Sequence, residues 1–286
     1  MSIDLHIHSN FSDGTDSPTE LVYLALKRGL KALAITDHDT IAGVPECLAA
    51  TAAHGGIEAI SGIEVSVVHR EKNFHLLGYM FDHDDPNLHN KVTVLQEARK
   101  DRNEKIIIKL QKLGIHISIE DMNEASPVGQ TGRPHIAGLL CRKGIVKNME
   151  EAFSKYLKKG AVAYESRFVY SAVEAIDFIK KSGGMAVLAH PAQVTQSFVE
   201  MSQIVGDLVD IGLDGIEGYY PTHSVAVRKK LLKIAQRYDM IVTGGSDYHG
   251  SIRPGTDMAG GKNVFVPFEA LLQMKNRWKN QYRAVG

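Results

Sequence analysis

Short apolar segments alternate with amphipathic segments along most of this chain, and that alternation limits the folds open to it more than any other feature. Ile3–His8 alternates apolar and polar residues as a strand does, and Ala32–Thr36 and Met185–Ala189 are short apolar runs. Between the first two, the sequence SPTE at 17–20 is typical of a helix start, with Ser17 as the N-cap. Strands joined by helices over short links favour a parallel sheet, and the number of such units favours a barrel. We therefore predict an α/β barrel.

One segment interrupts this alternation. It predicts helices without a buried strand between them, over Val92–Leu113, Ile119–Ala125, His135–Lys143 and Met149–Lys159. We therefore divide the chain into a barrel, residues 1–90 and 161–286, and a small helical insertion, residues 91–160. Insertions of this kind often carry substrate contacts, so we expect a lid or recognition element here. The alternative is a set of peripheral helices without a role.

Charge and hydropathy exclude several classes of protein. The chain has 33 Lys and Arg residues and 33 Asp and Glu residues. Because binding of long duplex nucleic acid needs an excess of basic contacts, we do not expect this protein to bind it. It has no run near 18 apolar residues and no apolar signal core at its start, so we expect no membrane association and a cytoplasmic protein. Its two cysteines, Cys47 and Cys141, are too few for a disulfide framework.

Histidine is unusually frequent, with 13 residues, and several histidines lie near carboxylates at strand ends. Nine candidate ligands stand in such positions: His6, His8, Asp13, His38, Glu64, His75, His190, Asp247 and His249. Barrel enzymes collect their catalytic groups at the C-terminal ends of the strands, so we expect these side chains to converge. His6 and His8, two residues apart on one strand, face the same side. Glu64 lies in an otherwise apolar strand, where a carboxylate without a partner would be costly.

Imidazole and carboxylate groups in this number predict a metal centre. Manganese, iron and zinc all accept mixed shells of these ligands, and we expect Mn²⁺, with Fe²⁺ or Zn²⁺ as alternatives. Nine ligands are too many for one ion, so the set fits two or three ions bridged by a carboxylate such as Glu64. Three such ions and three carboxylates would leave a net charge of about +3, which suits a phosphate group.

The segments that carry these residues resemble the motifs of the PHP (polymerase and histidinol phosphatase) superfamily of metal-dependent phosphoesterases. In chain order they are DLHIHSNFSDGT, ITDHDT, GIEVS, FHLLGY, AHP and GSDYHG. The resemblance implies a distorted (β/α)7 barrel with a trinuclear site. It also implies three ligand sets, namely His6, His8, Glu64 and Asp247; Glu64, His75 and His190; and Asp13, His38 and His249.

Two further segments, TGRPH at 131–135 and YYPTHS at 219–224, resemble the stand-alone nucleotide phosphatase branch. This branch implies removal of the 3′-phosphate from 3′,5′-bisphosphonucleosides such as pAp, and in some relatives 5′-to-3′ trimming of short 5′-phosphorylated oligonucleotides. Candidate substrate contacts are then Arg133, His135, His223 and Ser224. Arg133, beside a helix start, is suited to clamp a phosphate, or is otherwise an exposed loop residue. His135 and His223 either bind phosphate or cap helices.

The predicted chemistry is phosphomonoester hydrolysis by a hydroxide that bridging ions generate from water. His190, His223 and Asp247 are the candidates for proton transfer. Three other interpretations remain open: an exonuclease on short 5′-phosphorylated RNA, a histidinol-phosphate phosphatase, and a non-catalytic metal- or nucleotide-binding module. A phosphatase releases inorganic phosphate, an exonuclease releases nucleotides, and a binding module turns nothing over.

Overall fold

A nearly closed, barrel-shaped sheet dominates the computed structural model, which describes residues 1–260 and 264–282. Residues 261–263 and 283–286 of the predicted barrel segment 161–286 lie outside the described residues. The strands are β1 (Ser2–Ile7), β2 (Ala32–Ile35), β3 (Glu58–His69), β4 (Lys72–Tyr79), β5 (Tyr170–Ser171), β6 (Met185–Leu188), β7 (Gly215–Tyr219), β8 (Ile241–Gly244) and β9 (Val266–Pro267). Seven of them form the barrel wall in the order β8-β7-β6-β4-β3-β2-β1. β5 pairs with β3, and β9 pairs with β1.

The wall closes where the residues after β8 meet β1. The backbone N–H of His8 donates to the carbonyl of Tyr248 at 2.9 Å, and the N–H of Asp247 donates to the carbonyl of His6 at 2.8 Å. These hydrogen bonds join the two edges of the sheet at His6, His8 and Asp247, which are predicted metal ligands. The predicted α/β barrel is confirmed.

Helices connect the strands on the outside of the wall. They are α1 (Pro18–Lys27), α2 (Val44–His54), α3 (Pro86–Lys112), α4 (Ile119–Ala125), α5 (Arg133–Arg142), α6 (Met149–Ala152), α7 (Ala172–Lys181), α8 (Phe198–Asp210), α9 (Val225–Arg237) and α10 (Phe268–Tyr282). α1 starts as predicted, since the hydroxyl of Ser17 accepts from the N–H of Glu20 and the Glu20 carboxylate accepts from the N–H of Ser17. Among the described helices, none combines the length and the apolar character needed to span a membrane.

β4 runs against both of its neighbours in the wall. It is antiparallel to β3 and to β6, whereas the other neighbouring pairs of the wall are parallel. The sheet thus departs from the parallel one that the alternation favours, at the place where the sequence itself indicates a strand over Asn73–Phe81 paired with the preceding strand across residues 70–72. β3 and β4 are joined there by a tight turn at Arg70 and Glu71. A connection this short allows only antiparallel pairing. The start of β4, where His75 lies, therefore falls at the same edge of the wall as the ends of β2 and β6.

Helices α3 to α6 follow one another between β4 and β5, and they bury a hydrophobic cluster of their own. Its members include Ile106, Leu110, Ile136 and Leu140, all at most 1% exposed. α3 begins at Pro86, six residues before the predicted Val92, because Asp85 caps it and accepts from two backbone N–H groups of its first turn. This helical segment therefore has an internal core separate from the clusters that pack on the sheet.

Candidate metal centre

The carboxylate of Glu64 lies at the centre of the predicted ligand set. Five imidazole nitrogens lie 2.8–3.3 Å from its two oxygens, those of His6, His8, His38, His75 and His190. Glu64 is 1% exposed, so this carboxylate is shielded from bulk water. A buried acid with five imidazole neighbours is the arrangement that a bridging metal ligand would have.

Asp247 and Asp13 complete the cluster. Asp247 Oδ1 lies 3.2 Å from His8 Nε2 and 3.5 Å from His6 Nε2, and Asp13 Oδ1 lies 3.3 Å from His249 Nε2. Three overlapping groups have ligand atoms within 4.8 Å of one another: His6, His8, Glu64 and Asp247; His8, Asp13, His38 and His249; and His38, Glu64 and His75. His190 adjoins the third group, since its Nε2 lies 3.4 Å from His75 Nδ1. The structure thus brings all nine predicted ligand residues together.

Several polar atoms of this cluster have unused hydrogen-bonding capacity. Within the described residues, these buried atoms lack a hydrogen-bond partner: His6 Nε2, both ring nitrogens of His8, His38 Nδ1, Glu64 Oε2, His190 Nδ1 and His249 Nε2. Buried polar groups without a partner are costly, and each of these residue types is a metal ligand. The donor set therefore fits divalent cations, which would satisfy the nitrogens and oxygens together.

The residues of the cluster also shift one another's pKa values. Burial alone would raise the pKa of Glu64, but its interactions with the imidazoles of His38, His75 and His6 hold it well below its ordinary value. Burial would lower the pKa of His8, but the carboxylates of Asp247 and Glu64, 3.2 Å and 3.1 Å from its Nε2, raise it to about 9. His8 thus carries a proton at neutral pH on a ring that would bind a cation, so metal binding there would displace a proton.

Three residues of the site adopt left-handed backbone conformations that only glycine adopts easily. The φ angles are +53° at Asp39, +26° at His190 and +53° at Asp247. Each strained residue donates its N–H to a neighbouring strand: Asp39 to the carbonyl of Glu64 at 2.8 Å, Asp247 to that of His6 at 2.8 Å, and His190 to the Glu217 carboxylate at 2.7 Å. Such strain persists only where surrounding contacts fix it, and it is common at functional sites.

Glu217, on β7, orients the ligands from behind and was missed from the sequence. It is fully buried, and it accepts from His6 Nδ1 at 2.9 Å as well as from the N–H of His190. A carboxylate on Nδ1 fixes the tautomer in which His6 Nε2 offers its lone pair to the centre. An acid inside an apolar strand, the signal that identified Glu64, was also present here.

Asp247 is held by two further residues that the sequence did not identify as positioning groups. The hydroxyl of Tyr220 and Nη1 of Arg253 both donate to Asp247 Oδ2, each at 2.7 Å. Since these bonds occupy Oδ2, the other oxygen, Oδ1, is the one that faces His8 and His6. The two donors thus fix the orientation of the carboxylate toward the cluster.

A cavity of about 400 Å³ opens beside His75 and His190, which both line it. Four cations line it as well: Arg102, Arg133, Lys159 and Arg167. Among its described lining residues the one carboxylate, Glu165, is already paired with Lys109 at 2.8 Å. This arginine cavity is therefore strongly cationic and lies next to the candidate metal ligands.

Arg102 is the most deeply buried of these cations, at 5% exposure. Its guanidinium donates to the side chain of the adjacent Asn103, and no described carboxylate lies within ion-pair distance of it. Burial, together with the positive charges of Arg99 and Arg167, lowers the pKa of Arg102 to about 8. A buried cation in this position would be stabilised by an anion in the arginine cavity.

Asp39 links the metal-centre loops to the cationic residues. It is fully buried, and its Oδ2 lies 2.6 Å from guanidinium nitrogens of both Arg99 and Arg167. Although burial alone would raise the pKa of Asp39, these two arginines hold it well below its ordinary value. Asp39 directly follows His38, so α3, which carries Arg99, is attached to the candidate ligand set.

Arg133 and His135 both belong to α5 but face different spaces. Arg133 lines the arginine cavity and donates from Nη1 to the carbonyl of Leu157 at 3.3 Å. His135 caps the helix, since its Nδ1 accepts from the N–H of Gly132 at 3.0 Å, and it lines a second cavity. The start of α5 thus lies between two cavities.

His223 and Ser224 lie together before α9. His223 is buried, its Nδ1 donates to the carbonyl of Gly218 at 3.1 Å, and its ring centre lies 5.2 Å from that of Tyr220. Burial lowers the pKa of His223. The hydroxyl of Ser224 accepts from the N–H of Val227 and caps α9, and Ser224 is absent from the described lining of the arginine cavity.

Comparison with known proteins places this geometry in a family. The PHP domain model matches residues 4–161. A 5′-3′ exoribonuclease from Haemophilus influenzae is 36% identical over 250 residues, covering 86% of this chain and 89% of the relative. A 3′,5′-nucleoside bisphosphate phosphatase from Chromobacterium violaceum is 34% identical over 258 residues, 90% of each chain.

Two further comparisons extend this likeness. A phosphoribosyl 1,2-cyclic phosphate 1,2-diphosphodiesterase from Eggerthella lenta is 31% identical over 259 residues, 86% of this chain and 94% of the relative. The crystal structure of a proposed metal-dependent phosphoesterase from Bifidobacterium adolescentis superposes with a TM-score of 0.86 at 30% identity, covering 96% of each chain. The matched domain, the relatives and the shared fold agree with one another. This chain belongs to the PHP domain family of metal-dependent phosphoesterases.

Proposed function

We propose that this protein hydrolyses the 3′-phosphate of a 3′,5′-bisphosphonucleoside such as pAp and releases the nucleoside 5′-monophosphate. The observation that supports this substrate is the arginine cavity directly beside the candidate metal ligands. Two anion-binding regions next to each other suit a molecule with two phosphates. One phosphate reacts at the metal centre, and the guanidinium groups of Arg102, Arg133 and Arg167 bind the other.

Nine side chains would hold the metal ions: His6, His8, Asp13, His38, Glu64, His75, His190, Asp247 and His249. Divalent ions supply, when bound, an activated water and positive charge that offsets the charge on the phosphate oxygens. Two or three ions suit the three overlapping ligand groups, and Mn²⁺ is the ion that we propose. The donor set of imidazoles and carboxylates equally accepts Fe²⁺ or Zn²⁺.

Proton transfer is proposed for His223. Because its Nδ1 donates to Gly218, its Nε2 carries the lone pair, and among the described residues that atom has no partner. Its lowered pKa leaves the ring neutral near pH 7, so it can accept a proton. The other candidates, His190 and Asp247, lie within 3.5 Å of other candidate ligands and are assigned to metal binding.

A product assay tests the proposal. Mn²⁺-loaded protein is incubated with pAp, with histidinol phosphate and with a 5′-phosphorylated short RNA, and the products of each are identified. We expect inorganic phosphate and AMP from pAp, with little phosphate from histidinol phosphate, because the latter has no second phosphate for the arginine cavity. Faster turnover of histidinol phosphate than of pAp would contradict the proposal. Bound metal without turnover of any substrate would identify a binding module instead.

A further inference from the structure

A buried carboxylate outside the candidate ligand set, that of Asp37, lies directly before His38 in the sequence. Asp37 is 1% exposed, and it belongs to none of the three ligand groups. A carboxylate buried to this extent is costly unless hydrogen-bond donors compensate for the lost water. Among the described residues, those donors come from one short loop, residues 9–14, which carries Asp13 and which we call the Asp13 loop.

The contacts between Asp37 and the Asp13 loop are short. Asp37 Oδ1 accepts from the N–H of Ser9 at 2.7 Å and from the hydroxyl of Ser12 at 2.5 Å, and Oδ2 accepts from the hydroxyl of Ser9 at 2.5 Å. The carbonyl of Ser9 in turn accepts from the N–H groups of Ser12 at 3.1 Å and Gly14 at 3.0 Å. These bonds fix the residues directly before and directly after Asp13.

The backbone of Asp37 is itself attached to the barrel wall. The N–H of Glu64, on β3, donates to the carbonyl of Asp37 at 3.2 Å, and the N–H of Asp39 donates to the carbonyl of Glu64 at 2.8 Å. β3 is paired with β2 on one side and with β4 on the other. Because the Asp13 loop is not part of any strand, the side chain of Asp37 is what connects it to this fixed part of the sheet.

Asp13 depends on such support more than the ligands that lie on strands, such as Glu64 on β3 and His75 on β4. One carboxylate oxygen of Asp13 lies 3.3 Å from His249 Nε2, and the other lies 3.9 Å from His38 Nε2. The side chains of a metal site must be held to within about 0.5 Å of their working positions. A loop that moved freely would not hold Asp13 to that tolerance.

We propose that Asp37 is a positioning residue for the cation that Asp13, His38 and His249 would hold. It orients the carboxylate of Asp13 through the Asp13 loop and binds no cation itself. Because Asp13 belongs to only one of the three ligand groups, loss of Asp37 should weaken one cation and leave the others in place. This inference rests on the metal centre of the proposed function and is independent of the substrate.

Mn²⁺ titration calorimetry tests this role on full-length protein from which EDTA has removed metal. Asp37→Asn keeps the size of the side chain but places an NH₂ donor where an oxygen accepted, so we expect the affinity for one Mn²⁺ per chain to fall about 10–100-fold, as is typical for groups that orient metal ligands. Ser12→Ala removes one donor and leaves the two from Ser9, so it should weaken the same ion by less. Thermal unfolding checks that both variants fold.

A second substitution shows whether Asp37 acts through Asp13. If it does, adding Asp37→Asn to Asp13→Ala should reduce the Mn²⁺ affinity no further, because the group that Asp37 orients is already absent. An additional loss as large as that caused by Asp37→Asn alone would overturn the inference.

Asp214→Asn is the matched control. Asp214 is also buried and accepts from a backbone N–H, that of Ala186 at 2.9 Å, but it directly precedes β7 and so lies at the opposite end of the wall from the ligands. Its Mn²⁺ affinity should stay within about twofold of the wild-type value. Unaltered affinity in both Asp37→Asn and Ser12→Ala, or an equal loss in Asp214→Asn, would overturn the inference alone. A wild-type protein that binds no Mn²⁺ would overturn the proposed metal centre together with it.

Discussion

At the scale of one residue, Arg102 shows that a side chain placed to bind a ligand can lower the stability of the folded protein. Its guanidinium is nearly fully buried, it lies among other arginines, and no described carboxylate pairs with it. A charge without a counter-ion in such surroundings destabilises the folded protein. Its position is explained if a substrate phosphate supplies the missing negative charge.

Replacing Arg102 with methionine should separate these two effects. Arg102→Met keeps the length of the side chain and removes the charge, so the free energy of unfolding should rise by roughly 1–3 kcal/mol in urea titrations. The KM for pAp should rise at least about tenfold, because one charge-assisted contact to the 5′-phosphate is lost. The KM for adenosine 3′-phosphate, which lacks that group, should not change. A variant with unaltered KM for pAp would remove Arg102 from the substrate site.

The candidate ligands could be found from the sequence because each occupies a recognisable place. His6 and His8 alternate along one strand, and Glu64 interrupts an apolar run. Arg102 could not be found in this way, because it is one of several cations on a long helix. Its significance comes from neighbours distant in sequence, such as Arg167, that only the fold brings near it.

At the scale of secondary-structure elements, the ion pairs of Asp39 attach the helical segment to the barrel. It joins Arg99 of α3 and Arg167, in the connection before β5, to the loop that holds His38. Because the carboxylate is fully buried, both guanidinium groups depend on it for compensation. A substitution at Asp39 should therefore weaken the attachment of the helical segment to the barrel.

Asp39→Asn should lower the free energy of unfolding by about 3–5 kcal/mol, because it leaves two buried cations without a counter-charge. Urea-induced unfolding followed by circular dichroism measures this loss. Asp177→Asn is the control, since Asp177 pairs with the exposed Lys181, and exposed pairs contribute at most about 1 kcal/mol. Equal effects of the two substitutions would show that the buried position of Asp39 is unimportant.

The reversed direction of β4 shows why elements are easier to predict than their arrangement. The sequence indicates a strand between residues 73 and 81 that pairs with the preceding strand across residues 70–72, whereas the strand–helix alternation of the chain as a whole favours a parallel sheet. Without that reversal, His75 could not reach the edge where His38 and His190 lie. The start of α3 was missed for a different reason, because Asp85 and Pro86 precede the first residues of its apolar pattern.

The whole molecule should depend on its metal ions for stability as well as for activity. Ions that bind the folded cluster and not the unfolded chain shift the unfolding equilibrium, so treatment with EDTA should lower the melting temperature and abolish turnover. Added Mn²⁺ should restore both.

Since the raised pKa of His8, about 9, keeps a proton on it at neutral pH, Mn²⁺ affinity should increase between pH 6 and pH 8. Titration calorimetry at the two pH values measures the change, and a pH-independent affinity would contradict it.

The separate hydrophobic cluster of helices α3 to α6 has a consequence for how such enzymes diverge. Because Ile106, Leu110 and Ile136 pack mainly against one another, substitutions on the outer faces of these helices leave the interior of the barrel undisturbed. Arg102 and Arg133, which line the arginine cavity, both belong to this segment, whereas most of the candidate ligands lie on the wall or its loops. Selection can thus retune which phosphorylated molecule is accepted while the cation-holding scaffold stays constant, and an engineer could exchange the helices to redirect the enzyme.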